Sequence, residues 1–313
     1  MSASGNPCYS VVITTFRRPR AVIAAAQSVL AQDAPPFLEL IIVDNDPDGS
    51  ALKPARRLAA EAGFPVRVIH ERRIGLHAAR NAGVEAAQGE FVAFLDDNQI
   101  VSPRWLKQLA EVQRTTQAGL VFGAVHARMQ LGAAERSEFY KAYFSRDPDH
   151  GEGLIDQVYD CRCSLIRRDL LRKAGPFVLD AIEDRDAVDP ALVRLRDEGQ
   201  AIAWAASAWV WQAPQCEQLS LNYALRSAYN LSRECTKQAV VGGRRRLRSG
   251  ALNLVSGLGM VLSAAPAALA MFCVRSRRRA FMYRRLVDGM GRLLWASAFR
   301  LSGPDRELMP VAR

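Results

Sequence analysis

The stretch that decides the fold is FVAFLDDNQIVSP, Phe91 to Pro103. Five apolar residues in a row end in two carboxylates and an amide, Asp96, Asp97 and Asn98. A short uninterrupted apolar run predicts a strand buried on both faces. Polar groups at its carboxyl end lie where a sheet of parallel strands takes up ligands. The same pattern repeats upstream. YSVVITTF, LELIIVDN and VRVIHE read as strands, and RAVIAAAQSVLAQ, LKPARRLAAEAG and GLHAARNAGVEAAQG separate them at helix length. This alternation predicts an α/β domain with a mostly parallel central sheet flanked by helices. Its strand ends carry Thr14, Thr15 and Phe16, then Asp44, Asn45 and Asp46, then Asp96, Asp97 and Asn98.

Downstream, WLKQLAEVQRTT reads as a helix and GLVFGAVHARM as a strand. Residues 130–151 mix Gly, Asp and Pro with aromatic residues and are expected to form loops over the site. CSLIRRDLLRKAG predicts a strand running into a helix, and the acidic AIEDRDAVDP precedes the helix ALVRLRDEG, with Asp186 as its expected cap. AIAWAASAWVWQ closes the domain near residue 213.

A chain of 313 residues that is 49% hydrophobic can bury a large core, which excludes a disordered protein. Its six cysteines are scattered, and the one close pair, Cys161 and Cys163, has neither zinc-site nor thioredoxin spacing. Free buried thiols in a reducing cytosol are therefore expected. The N-terminal MSASGNPCYS lacks the basic and apolar regions of a cleaved secretion signal.

Of the net charge of +10, Lys237 onward contributes 15 basic and 3 acidic residues, or +12; the rest has 27 and 29, or −2. Such a basic tail calls for an anionic surface. Gly250 to Val274 is 25 residues without a charge, flanked by Arg244, Arg245, Arg246 and Arg248 and by Arg275, Arg277, Arg278 and Arg279. A helix of that length reaches roughly 37 Å, against about 30 Å of hydrocarbon. A single span leaves one basic cluster on the wrong side. Pro266 near the middle points to a bent re-entrant hairpin or an interfacial pair of helices. Phe281 to Arg300 predicts a basic amphipathic helix, with Arg285, Asp288 and Arg292 on one face and Leu286, Met290, Leu293 and Leu294 on another. Nucleic acid is not the expected partner, because the basic residues do not alternate with stacking aromatics.

Taken in order, SVVITTFRRP, IIVDNDPDGS, GLHAARNAGVEAAQGEFVAFLDDN and IEDRD resemble the family 2 glycosyltransferases, over roughly residues 9–213. The resemblance implies a GT-A fold and an inverting transfer from a nucleotide-sugar donor. It divides the chain into a GT-A domain, 1–225, and a basic, apolar and helical region, 226–313, expected to associate with a membrane. It implies that Thr14, Thr15 and Phe16 approach the nucleotide and that Asp44 accepts a hydrogen bond from the base, which favours uridine. Arg80, in the ARN of GLHAARNAG, reaches toward the nucleotide as an always-charged fork. Asp96 and Asp97 face the donor, and Asp96 with Asn98 occupies the place of the family's Asp-x-Asp, the ligands of Mg²⁺ or Mn²⁺. Asn98 departs from that pattern by offering a carbonyl oxygen without charge. Gln212 departs too, where His is frequent, so metal affinity is expected to be weakened. Asp184 matches the catalytic base and Glu183 positions the acceptor. A Gln-x-x-Arg-Trp signature is missing from the chain, which implies one sugar added per encounter.

The expected acceptor is a lipid-linked glycan at the cytoplasmic face of the cell (inner) membrane, in exopolysaccharide or envelope synthesis. A non-catalytic GT-A scaffold within a glycan assembly complex is the alternative that the softened metal positions leave open.

Overall fold

The computed structural model describes residues 8–32, 39–129, 137–148, 150–178, 188–214, 219–242, 246–273 and 279–296. In chain order the elements are β1 (Tyr9–Thr15), α1 (Pro19–Leu30), β2 (Glu39–Asp44), α2 (Leu52–Glu61), β3 (Val66–His70), α3 (Leu76–Ala86) and β4 (Phe91–Asp96). There follow β5 (Gln99–Val101), α4 (Trp105–Thr116), β6 (Leu120–Ala127), α5 (Ser137–Phe144), β7 (Gly153–Ile155), β8 (Ser164–Arg167) and α6 (Arg168–Ala174). The last are α7 (Pro190–Asp197), β9 (Ile202–Gln212), α8 (Leu221–Gly242), α9 (Arg246–Cys273) and α10 (Arg279–Leu293).

The chain forms two compact units. The first is built from the described residues of Met1–Arg128, Phe144–Ala181 and Val188–Ala213. Its sheet runs β3-β2-β1-β4-β8-β6-β9-β5, with β7 paired to β9. β3, β2, β1 and β4 are all parallel, as the alternation predicts, and so are β6 and β9. β8 is antiparallel to both β4 and β6, and β5 and β7 are antiparallel to β9, so the second half of the sheet is mixed.

β1 and β2 are buried along their whole length, which is why they read as unbroken apolar runs. Alternation still sorts their side chains between two cores. Val11, Ile13, Ala93 and Leu95 pack on the face covered by Val22 and Val29 of α1 and by Leu106 and Leu109 of α4. Val12, Phe94 and Phe122 pack on the other, with Ala79 and Val84 of α3, Leu170 of α6 and Leu192 of α7. α3 lies close against β1 because position 83 is glycine: a Cβ there would sit 2.5 Å from a Val12 methyl.

Two local differences from the sequence reading have simple causes. α5 falls within 130–151, where loops were expected; Phe139, Tyr140, Tyr143 and Phe144 recur at one-turn spacing and make an apolar helix face. α7 is capped by Asp189, not by Asp186: the Asp189 carboxylate accepts from Ala191 N–H at 2.7 Å. Asp186 itself lies outside the described residues.

The second unit, from the described residues of Met129–Tyr143, Ile182–Ala187 and Pro214–Arg313, contains α8, α9 and α10. α9 is one continuous helix with Pro266 inside it, which replaces the expected hairpin or helix pair. Pro266 lies on the exposed side, so its ring displaces no packed neighbour. On the inner side Ser256, Gly257, Met260, Val261, Ala264 and Ala268 recur every third or fourth residue. Gly257 of α9 and Gly289 of α10 meet backbone to backbone, and Arg292 donates to the Ser256 hydroxyl at 2.8 Å. On the outer side Leu252, Val255, Leu258, Leu262, Leu269 and Phe272 are exposed, Val255 by 70%.

Candidate active site

The carboxyl ends of β1, β2 and β4 meet at one edge of the sheet, since the registers pair Thr14 with Asp96 and Thr15 with Asp44. Alternation divides their side chains. Thr14 and Asp96 continue the α3 face of Val12 and Phe94, whereas Thr15 continues the face of Ile13. Thr15 donates to Asp97 at 2.8 Å, and Arg18 at the start of α1 donates to the other Asp97 oxygen at 2.9 Å. Asp97 is thus buried and holds the β1–α1 connection to the turn after β4.

Asp96 is different. Its side chain is 18% exposed, and a guanidinium nitrogen of the buried Arg80 lies 3.8 Å from it. Next to it, Asn98 donates through its amide nitrogen to the Ala213 carbonyl at 3.3 Å. The Asn98 carbonyl oxygen is buried and has no hydrogen-bond partner. An orphaned acceptor costs about 1–3 kcal/mol unless something occupies it. A carboxylate and an amide oxygen are hard donors that suit Mg²⁺ or Mn²⁺. Among the described residues, no cluster of three or more His, Cys, Asp or Glu side chains could hold a metal by itself. Asp96 and Asn98 therefore fit a cation whose remaining ligands come from a diphosphate and water.

Asp44, expected to meet the base, ends β2. It is fully buried, its two oxygens accept from Asp46 N–H at 3.1 Å and from Ala51 N–H at 2.7 Å, and it shapes the turn into α2. Asn45 is equally occupied: it donates to the carbonyls of Glu71 and Arg73 at 2.9 and 2.6 Å and accepts from Gly75 N–H at 2.8 Å. It thereby sets where α3 begins. Asp46 is buried, which works against its charge, yet Ser50, the Asp48 N–H and Arg17 hold its carboxyl below the usual range. Arg17, at a φ of 57°, also lies over the ring of the half-buried Phe16 at 5.1 Å. A non-glycine residue in that conformation at a strand end marks a strained rim. The adjacent arginines of FRRP were the signal for Arg17 and Arg18, which the sequence reading did not single out.

A buried relay supports the turn from below. Gln99 accepts from Asp96 N–H at 3.0 Å and donates to the Gln212 side-chain oxygen at 3.3 Å. Arg162 donates to that same oxygen at 3.2 Å. Gln212 therefore serves as an acceptor between two donors. Arg162 in turn grips Asp160 at 2.9 and 3.1 Å, and Arg146 adds a third contact at 3.0 Å. Burial pushes the Asp160 carboxyl up, but the two guanidiniums outweigh it and hold the group well below the ordinary carboxylate range.

A family model for glycosyl transferase family 2 matches residues 10–175, slightly more than half of the chain. The chain belongs to glycosyl transferase family 2. This glycosyltransferase is 30% identical over 220 residues to the succinoglycan biosynthesis protein ExoM of Rhizobium meliloti, covering 69% of this chain and 70% of that protein. It is 32% identical over 114 residues to ExoO, a succinoglycan biosynthesis protein of the same organism, covering 36% and 31% of the two chains. Among solved structures it superposes on the mannosyltransferase PcManGT from Pyrobaculum calidifontis, in complex with GDP-Man and Mn²⁺. That match has a TM-score of 0.63 at 17% identity, over 94% of this chain and 89% of that one. The S. aureus TarS fragment 1–349 in complex with UDP-GlcNAc superposes with a TM-score of 0.52 at 13% identity, over 92% and 90%. These likenesses establish the GT-A fold.

One further feature of the glycosyltransferase went unnoticed in the sequence. Helix α3 grips the chain on both sides of the segment that carries Glu183 and Asp184. Asn81 donates to the Phe177 carbonyl at 2.9 Å and accepts from Phe177 N–H at 2.8 Å, while His77 Nδ1 lies 3.3 Å from Asp189. Glu183 and Asp184 themselves lie outside the described residues. Cys161 and Cys163 are free and buried, as expected of scattered cysteines, and burial pushes their thiols up to about 12 and about 11. Neither is a nucleophile.

Proposed function

We propose that this glycosyltransferase moves a sugar from a nucleotide-sugar donor, with a UDP-sugar favoured, to a hydroxyl of a lipid-linked saccharide, inverting the anomeric centre, in exopolysaccharide synthesis. The observation that carries this is the partly exposed Asp96 beside the unpartnered carbonyl oxygen of Asn98, backed by Arg80, at the carboxyl edge of the parallel strands. The named role of ExoM and ExoO supports the pathway, and the GDP-Man and UDP-GlcNAc of the neighbouring structures support the donor class.

Asp96 and Asn98 would hold Mg²⁺ or Mn²⁺, which would supply positive charge against the charge developing on the diphosphate. Arg80 fixes the Asp96 carboxylate from behind, and Thr14 lines the donor edge on the same face. Asp184 removes the proton from the acceptor hydroxyl as that oxygen bonds to the anomeric carbon. The bond from that carbon to the diphosphate oxygen breaks, and its electron pair leaves with the diphosphate. Glu183 orients the acceptor. Asp184→Asn is expected to lower kcat by about 10²–10⁴-fold, the usual worth of a positioned base, while calorimetry shows unchanged donor affinity. Turnover at the wild-type rate in that variant would remove the assigned base.

The acceptor's lipid places the reaction at a membrane surface, and α9 supplies the means. Ala251–Phe272 is long and apolar enough to cross a bilayer. Its inner side, however, packs on α10, which carries Arg284, Arg285, Asp288 and Arg292, and such charges are penalised by about 2.5–3.5 kcal/mol each at the centre of a membrane helix. The bundle therefore lies in the cytoplasmic interface, with the outer side of α9 in lipid. Flotation with phosphatidylglycerol vesicles is expected to carry the full chain. Val255→Asp with Leu262→Asp should weaken it at least about tenfold, since each lost apolar side chain is worth about 1.5–3 kcal/mol. Vesicle binding that survives both substitutions would place the contact elsewhere.

A further inference from the structure

Four large hydrophobic side chains of the first unit are exposed among the described residues, Ile100, Leu154, Val178 and Trp211, and two of them are direct neighbours. β5 pairs antiparallel with the end of β9, so that Ile100 stands opposite Trp211, with exposures of 39% and 36%. β6 pairs with β9 on the other side and places His126 opposite Trp211. The rings of His126 and Trp211 lie 5.6 Å apart, those of Trp209 and Trp211 5.2 Å, and those of His126 and Trp209 5.9 Å. Trp209 rests on the core beneath the α3 face, the face that Asp96 continues, and so gives the cluster a rigid base. The Asp147 carboxylate lies 3.7 Å from His126 Nδ1 at the rim.

We infer that the Trp211–Trp209–His126 cluster is a stacking subsite for a pyranose ring of the acceptor saccharide. A pyranose has one face of C–H bonds, which meets the electron-rich face of an indole, and an equatorial ring of hydroxyls, which a carboxylate such as Asp147 can accept from. The cluster adjoins the donor site through the backbone. Ala213, two residues beyond Trp211, exchanges hydrogen bonds with Asn98 at 3.0 and 3.3 Å. At the rise of a strand that separation is about 7 Å, close to the length of one sugar. The inference rests on the proposed saccharide acceptor and deepens it by naming where that acceptor is held.

Two measurements on the full chain test it. With a nucleotide-sugar donor and the lipid-linked saccharide fraction extracted from the producing cells, Trp211→Ala is expected to raise the KM for that fraction about tenfold or more, with kcat and donor KM within about twofold; a tenfold change equals about 1.4 kcal/mol. Trp211→Phe, which keeps a ring, should recover most of the loss. In saturation-transfer NMR with methyl β-D-glucopyranoside, the wild type should saturate the C–H face of the sugar, and Trp211→Ala should lose that signal while retaining the signal of UDP. An unchanged acceptor KM and pyranoside signal in Trp211→Ala overturns the subsite. So does a loss that falls on the donor or on UDP, which would make the cluster a platform for the base. If Trp211→Ala fails to fold, His126→Ala and Asp147→Asn, at the exposed rim of the same cluster, carry the same comparison. A wild type that binds the pyranoside through Trp211 yet transfers no sugar leaves the subsite standing and overturns the proposed reaction instead.

Discussion

Asp96→Asn is expected to lower kcat/KM by about 10²–10³-fold, the cost of removing one preorganised electrostatic partner of a developing charge. The substitution keeps the shape and leaves the bond from Gln99 intact, because Gln99 accepts from the Asp96 backbone and not from its side chain. What it removes is the negative charge beside Arg80, 3.8 Å away, which on the proposed reading serves the diphosphate. Asp97 cannot substitute, since Thr15 and Arg18 occupy its two oxygens. The loss should therefore fall on catalysis with little effect on folding, and thermal unfolding should remain near that of the wild type. Steady-state kinetics against Mn²⁺ concentration would separate the causes: half-saturation should move upward in Asp96→Asn. Activity within threefold of the wild type would show that Asp96 does not hold the cation.

Asp160→Ala is expected to destabilise the fold by about 3–5 kcal/mol, the cost of breaking a buried ion pair by deleting one partner. Two guanidiniums, Arg146 and Arg162, meet that carboxylate, and all three side chains are less than a tenth exposed. The arginines have other acceptors, since Arg146 also donates to main-chain carbonyls of Gly123, Asp160 and Arg162, but none of these carries charge. The pH dependence follows from the lowered carboxyl. A group depressed in the folded state stabilises the protein above its unfolded value, about 3.9, and that contribution is lost as pH falls toward the folded value. Urea unfolding followed from pH 7 down through about pH 4 should show the wild type losing stability below that point, and Asp160→Asn starting lower with a flatter acid limb. Equal acid limbs in the two proteins would show that Asp160 is not held ionised by the arginines.

Much of the fold was legible because burial on two faces leaves a local record. The strand-length apolar runs and the helices between them lie where the sequence placed them, and the first four strands are parallel. β5 and β7 were missed, as strands of three residues carry too few positions for a period to show. The antiparallel entry of β8 was not legible either, since an apolar run has no direction until it finds its neighbours. The roles of the acids divided in the same way. Asp96, Asn98 and Asp44 stood out alike from their place at strand ends, while the backbone N–H groups that Asp44 accepts from became visible only in the fold.

The sequence by itself therefore determined the layer order of strand and helix, the edge at which polar groups gather and the basic, apolar character of the final helices, because each is written in residues adjacent along the chain. Tertiary structure alone decided which of those polar groups is available. Asp97 is tied to Thr15 across 82 positions, Gln99 to Gln212 across 113, and Asn81 to Phe177 across 96. A carboxylate or amide becomes structural or reactive according to whether the fold brings it a partner, and partners so distant in the chain meet only once the sheet has closed around them.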